Sequence, residues 1–216
     1  MTAMLPRPTL HRYLPSGGVT SVTLQCVSWE EYAELAASPE ARGLKLTYDN
    51  GELDIMTVGK RHDFLVATLT FLLGFYGLEA GRKVACFGGT TCRREDADRG
   101  LNPDVCFYID VPKPELDNRP IELPKDPPPN LAIEIDLTSS STPRMPIYQS
   151  LGVEEVWQWR AGTFTFYRLE ADGFREVERS VLVPELKPAD AGELVNVAER
   201  QGLDVAAEAL RKLVAS

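Results

Sequence analysis

The chain predicts a mixed α/β fold, a β-sheet with helices on its faces, on three features. The first is an Asn-Gly step, in Asp49-Asn50-Gly51, between two short alternating runs. The second is a long apolar stretch with helical spacing, from Arg61 to about Ala80. The third is a pair of short alternating strands, Val105 to Ile109 and Leu131 to Leu137, with carboxylates of matching parity. Strands interleaved with helical segments, rather than grouped apart, give a layered α/β sheet.

At 216 residues, 44% hydrophobic and 25% charged, the chain has the make-up of one soluble globular domain with a core of its own. We expect that domain over residues 19–216, behind a flexible N-terminal arm, 1–18. The arm, MTAMLPRPTLHRYLPSGG, lacks the apolar core of a signal peptide, and no run approaches the ~20 apolar residues of a membrane helix. The expectation is a cytoplasmic protein with no membrane contact. Cys26, Cys86, Cys92 and Cys106 form no CxxC pair, which argues against zinc and for reduced, mostly buried thiols. A net charge of −9 argues against bulk electrostatic coating of nucleic acid. Lys60, Arg61, Arg82, Lys83, Arg93, Arg94 and Arg99 crowd the first half, but Glu95, Asp96 and Asp98 interrupt them; a mixed solvated surface explains them better than a basic groove.

Val19 to Val27 has the look of an edge strand. Ser28-Trp29-Glu30-Glu31 fits a capping box and predicts a helix from Trp29 to about Ala37. Leu44 to Tyr48 and Glu52 to Met56 flank the Asn-Gly step as hairpin arms, with Glu52, Asp54 and Met56 on one face of the second. In the Arg61 helix, Leu65, Leu69, Leu72 and Tyr76 form one stripe and Phe64, Phe71, Phe75 and Leu78 another, with Gly81 as its stop and His62 and Asp63 in its first turn. Lys83 to Arg93 reads as one strand. A proline-rich loop spans Asp110 to Asn130, of a length that often serves binding. Ile147 to Trp157 reads as a helix leading into a strand. Glu155 to Trp159, Thr163 to Leu169 and Phe174 to Ser180 are further strands, and Gly192 to Val214 is helical with a break at Gly202-Leu203.

The carboxylates carry the chemistry. Along Leu131 to Leu137, Glu134 and Asp136 share the face opposite Leu131, Ile133 and Ile135, roughly 6–7 Å apart at the backbone. An antiparallel strand with one wet face shows the same alternation. Upstream, Asn102-Pro103-Asp104 opens the other strand, with Asp104, Cys106 and Tyr108 opposite Val105, Phe107 and Ile109. If the two strands are neighbours, Asp104, Glu134 and Asp136 form one acidic cluster, which a hard divalent cation would relieve. Tyr108 and Trp157 are most simply core aromatics.

Ser28-Trp29-Glu30-Glu31-Tyr32, Leu46-Thr47-Tyr48-Asp49, Gly51 to Met56, His62-Asp63, Asn102 to Ile109, Pro127 to Thr138 and Ile147 to Trp157 follow in one order. In these pieces, from about Val27 to Pro184, the chain resembles the Uma-type putative restriction endonuclease family of the PD-(D/E)XK nuclease superfamily. The resemblance implies a restriction-endonuclease-like core: a mixed central β-sheet flanked by helices. It implies Asp104 and Glu134 as ligands of Mg²⁺ (or Mn²⁺), with Asp136 and Asp54 as further candidate ligands. It also implies hydrolysis of phosphodiester bonds in DNA or RNA by metal-activated water. The superfamily's lysine would stand at position 136, where this chain has Asp136. Arg144, in the following segment, is the candidate phosphate clamp, or else a salt-bridge partner of Asp136. Relatives carry Glu where this chain has Asp54 and Asp63. His62 is an auxiliary group or a plain helix-terminal histidine. By analogy a homodimer is expected. The competing reading is a non-catalytic nucleic-acid- or protein-binding module on the same fold, and Asp136 in the lysine's place favours it.

Overall fold

The computed structural model describes residues 21–41, 43–136 and 143–215; the expected arm, 1–18, and Leu137 lie outside them. Strand β1 (Ser21–Leu24) leads to helix α1 (Trp29–Ala37). Ser28 Oγ accepts from Glu31 N, and the Glu31 carboxylate accepts from Ser28 N at 2.8 Å, so both ends of the capping box are closed. Strands β2 (Leu44–Asp49) and β3 (Glu52–Thr57) form the hairpin. Asn50 (φ 48°) and Gly51 (φ 89°) both take positive φ, as a two-residue primed turn requires.

Helix α2 (Lys60–Ala80) closes at Gly81, with φ 65°. By length and composition alone its 21 residues could cross a bilayer. In the fold its inner face, Leu65, Leu69, Leu72, Leu73 and Tyr76, is buried against Val105, Phe107, Ile133 and Trp157.

The span Lys83 to Arg93 is two strands rather than one, β4 (Val84–Gly88) and β5 (Cys92–Arg94), and they enter different sheets. The break falls at Gly88, in the left-handed region (φ 57°), and at Gly89, where a β-carbon would sit 3.1 Å from Pro103 O. Two short strands escaped the sequence reading: β6 (Arg99–Leu101) after the charged turn, and β8 (Ile121–Glu122) inside the proline-rich loop. Between them runs β7 (Val105–Ile109). Strand β9 (Leu131–Asp136) follows. Helix α3 (Met145–Leu151) is shorter than the expected Ile147 to Trp157 helix, because Gly152, at φ 75°, stops it and the chain straightens. Strands β10 (Glu155–Arg160), β11 (Thr163–Glu170) and β12 (Gly173–Val177) follow, then α4 (Pro188–Gln201) and α5 (Leu203–Val214), hinged at Gly202.

The mixed α/β class holds, with the strands divided between two six-stranded mixed sheets, β1-β3-β2-β6-β5-β8 and β12-β11-β10-β9-β7-β4. Helix α1 covers the outer face of the first sheet through Tyr32, packed on Leu46, Tyr48, Leu53 and Ile55. Helices α2, α4 and α5 cover the outer face of the second. Between the sheets lies a smaller core, in which Cys92, Leu101 and Ile121 meet Ala132, Val156 and α3 residues Ile147, Tyr148 and Leu151. The inner polar residues of both sheets therefore face one another around α3. All four cysteines are free, but only Cys92 and Cys106 are buried; Cys26 and Cys86 sit on exposed positions.

Candidate active site

Strands β7 and β9 are antiparallel neighbours, with Val105 opposite Ile133 and Cys106 opposite Ala132. Continuing that parity by one step sets Asp104 and Glu134 on the same inner face. Both are buried, at 7% and 2% exposure. Asp104 Oδ2 accepts the Ile135 backbone N–H at 2.6 Å, which turns Oδ1 toward the centre of the site.

The centre holds a lysine that the sequence reading passed over. Lys45, on β2 of the opposite sheet, places Nζ 2.5 Å from Asp104 Oδ1 and 2.7 Å from Glu134 Oε2. Its side chain is 9% exposed. A lysine is almost never buried unless paired. Parity assigns Lys45 a face but not a partner: Lys45, Thr47 and Asp54 share one face of the hairpin, while Leu46, Tyr48, Leu53 and Ile55 point to α1.

Arg144 precedes α3 and pairs with Glu134, not with Asp136. Its Nη1 donates to Glu134 Oε2 at 2.5 Å and its Nη2 to Thr47 Oγ1 at 2.6 Å. Tyr148, four residues on and so on the same side of the helix, donates its hydroxyl to Glu134 Oε1. His62, in the first turn of α2, sets Nε2 2.6 Å from Asp104 Oδ1. An ionised carboxylate only accepts, so this nitrogen carries the proton. His62 Nδ1 is buried with no hydrogen-bond partner among the described residues, and Asp63 Oδ1, at 3.6 Å, is too far to supply one.

The electrostatics follow from this cage. Burial alone would push the Asp104 carboxyl up. The Lys45 ammonium, then His62 and Arg144, outweigh it and hold the group well below the usual carboxylate range. Burial works against the Arg144 charge too, but Glu134, Tyr148 and Asp104 hold its proton more firmly than usual. The Tyr148 phenol is pushed far up, by burial first and by the Glu134 charge second.

The other candidate ligands stand apart. Asp136 is half-buried, and its Oδ2 accepts from Gln158 Nε2 at 2.6 Å. It lines a cavity of about 210 Å³ with Glu134, Arg144 and Arg160. Asp54, 2% exposed, stands opposite Thr47 in the hairpin and accepts from Thr23 Oγ1 at 3.2 Å. Among the described residues no three His, Cys, Asp or Glu side chains converge on one ion position, so the expected three-carboxylate cluster reduces to the Asp104–Glu134 pair. That pair still fits Mg²⁺, which is commonly held by one or two carboxylates with water or phosphate completing its shell. Lys45 Nζ already marks a cation position between the two groups.

A cleft of about 530 Å³ opens on this cluster, lined by Lys45, His62, Asp104, Asn102, Thr90 and Thr91 among others. Asn102 Oδ1 there is buried and has no partner among the described residues. Of the basic residues of the first half, Arg61, Arg82, Arg93, Arg94 and Arg99 each pair with a carboxylate. Tyr108 and Trp157 are core residues.

Residues 29–201 match the family described as putative restriction endonuclease, Uma2. Among solved structures, a putative nuclease belonging to DUF820 from Anabaena variabilis ATCC 29413 shares the fold. Its TM-score is 0.52 at 16% identity, over 78% of this chain and 99% of that one. No curated protein matches the chain.

Proposed function

The chain belongs to the putative restriction endonuclease family, and from that premise we propose that it is a metal-dependent nuclease hydrolysing phosphodiester bonds of DNA or RNA. One observation carries the reading: two buried carboxylates on neighbouring strands share a cation position beside an open cleft. Asp104 and Glu134 would hold Mg²⁺ or Mn²⁺. A bound ion of this kind lowers the pKa of its water and offsets charge developing on the phosphate. The chain's own residues do the rest. His62 and the Ile135 N–H fix the Asp104 carboxylate. Arg144 and Tyr148 fix Glu134. With Nη1 on Glu134 and Nη2 on Thr47, Arg144 serves orientation more than direct phosphate clamping. Lys45 is the cation facing the cleft.

The binding-module reading has an observation of its own. Lys45 and Arg144 already neutralise the two carboxylates, so the cluster is stable as it stands. Cleavage separates the two. Plasmid, single-stranded DNA and RNA should be cut in the presence of Mg²⁺ or Mn²⁺, and Asp104→Asn, still folded by circular dichroism, should lose cleavage by a factor of about 10² or more, as loss of one preorganised electrostatic group does. Binding without cutting by the wild-type protein establishes the module instead.

A further inference from the structure

Taking Asp104 and Glu134 as the metal seat, we propose that Lys45 is a built-in counter-cation which a divalent ion must displace, and that the displaced ammonium then becomes the phosphate-binding cation of the cleft. This rests on the functional reading above and adds to it an order of binding.

The geometry leaves a metal little choice of oxygens. Asp104 Oδ2 is engaged by the Ile135 N–H, and Glu134 Oε1 by the Tyr148 hydroxyl. Asp104 Oδ1 and Glu134 Oε2 accept from His62 Nε2 and Arg144 Nη1 respectively, and they are the pair of oxygens that Lys45 Nζ bridges, at 2.5 and 2.7 Å, so the position shared by both carboxylates is the one the ammonium fills. An ion coordinated to those oxygens at roughly 2.0–2.6 Å would compete with the ammonium for the same few cubic ångströms. Charge argues the same way. Lys45 and Arg144 balance Asp104 and Glu134, so a divalent cation added with Lys45 in place would leave two uncompensated positive charges in a buried cage.

The displaced side chain has somewhere to go. Lys45 itself lines the cleft, with Thr90, Thr91 and Asn102, and four methylenes let Nζ swing without moving β2. A phosphate in the cleft would restore the anionic partner the ammonium had lost. Metal and phosphate should therefore bind with positive and reciprocal coupling.

Two measurements test this. In the wild-type protein, acetylation of Lys45 by acetic anhydride is followed by peptide mass spectrometry, with Lys125, 78% exposed, as internal reference. Mg²⁺ should raise the relative reactivity of Lys45 several-fold, and inorganic phosphate added with it should lower it again. No rise with Mg²⁺ overturns the exchange. Calorimetric titration of Mg²⁺ into Lys45→Met should give a Kd at least about tenfold lower than in the wild type, since a buried competing ion pair is gone. Lys45→Arg, which keeps the charge should Lys45→Met fail to fold, should bind Mg²⁺ no more tightly than the wild type. Equal or weaker affinity in folded Lys45→Met counts against the proposal, as does tighter affinity in Lys45→Arg. Asp104→Asn separates this failure from that of the underlying reading. If it binds Mg²⁺ as well as the wild type, the seat lies elsewhere and both fall. If it loses Mg²⁺ while Lys45 reactivity in the wild type ignores the ion, the exchange alone falls.

Discussion

Tyr32 is fully buried in the small core under α1, stacked on Tyr48 with ring centroids 4.6 Å apart, and its hydroxyl has no hydrogen-bond partner among the described residues. The hydroxyl lies against Gly100, where a β-carbon could not fit. Burial pushes the Tyr32 phenol well above its usual range, with the Arg93 charge pulling the other way. A buried, unpaired polar group costs about 1–3 kcal/mol. Tyr32→Phe keeps the ring and removes the cost, so it should be neutral or stabilising by up to about 2 kcal/mol in urea unfolding at pH 7. The sign of the pH dependence also follows. With the folded pKa above the unfolded value of about 10, the neutral phenol's share of stability is intact below pH 10 and lost as pH rises beyond it. Tyr32→Phe should therefore flatten the loss of stability above pH 10. At this same scale the site was only half legible. Asp104 and Glu134 could be read from parity within single strands. Lys45 could not, because its meaning depends on which sheet faces β2, and a lysine in an alternating hairpin is indistinguishable in sequence from a solvated one. The alternative of an Arg144–Asp136 bridge fails for a related reason: Asp136 shares a face with Glu134, but Gln158 on β10 takes it, and Arg144 pairs with Glu134.

Among the elements, α2 was legible because its apolar spacing is long and regular, whereas the segment after it was not. Lys83 to Arg93 has continuous strand composition, and the two-glycine break becomes decisive only because Pro103 O packs against Gly89. Two glycines within α2 show how local propensity and packing oppose each other. Gly77 faces β4: an added β-carbon would lie 2.8 Å from Val84 Cγ2 and 3.1 Å from Arg82 O. The Arg82 carbonyl cannot retreat easily, since Arg82 N is bonded to Gly77 O at 2.9 Å. Alanine gains about 1 kcal/mol of helix propensity over glycine, but overpacking costs about 1–3 kcal/mol. Gly77→Ala should thus lower stability by about 1 kcal/mol net. Gly74, on the exposed side with nothing within 4 Å, has the propensity gain without the clash, and Gly74→Ala should stabilise by about as much. Opposite signs in thermal unfolding of the two variants are the expected result; stabilisation by both would mean that β4 shifts to make room.

For the whole molecule, what the sequence withheld was the partition of strands into sheets. Alternation gives each strand two faces but does not say which strands share a ladder, and the site exists only because inner faces of two sheets meet around α3. That arrangement also bears on how an acidic protein handles a polyanion. The chain carries −9, and Arg61, Arg82, Arg93, Arg94 and Arg99 are each paired with a carboxylate, so the net charge works against long-range attraction to nucleic acid. The proposed function therefore rests on short-range contacts at the cleft: Lys45, His62 and any cation that Asp104 and Glu134 would hold. On the proposed reading, affinity for double-stranded DNA would rest on one or two phosphates. With each neutralised phosphate contributing about −0.9, log K against log[salt] should have a slope near −1 to −2, measured with Mg²⁺ held constant. A protein that tracks the backbone through a basic groove gives a far steeper line. A steep slope here would place the nucleic acid on lysines and arginines outside the cleft, and a slope near zero would leave no phosphate at Lys45 at all.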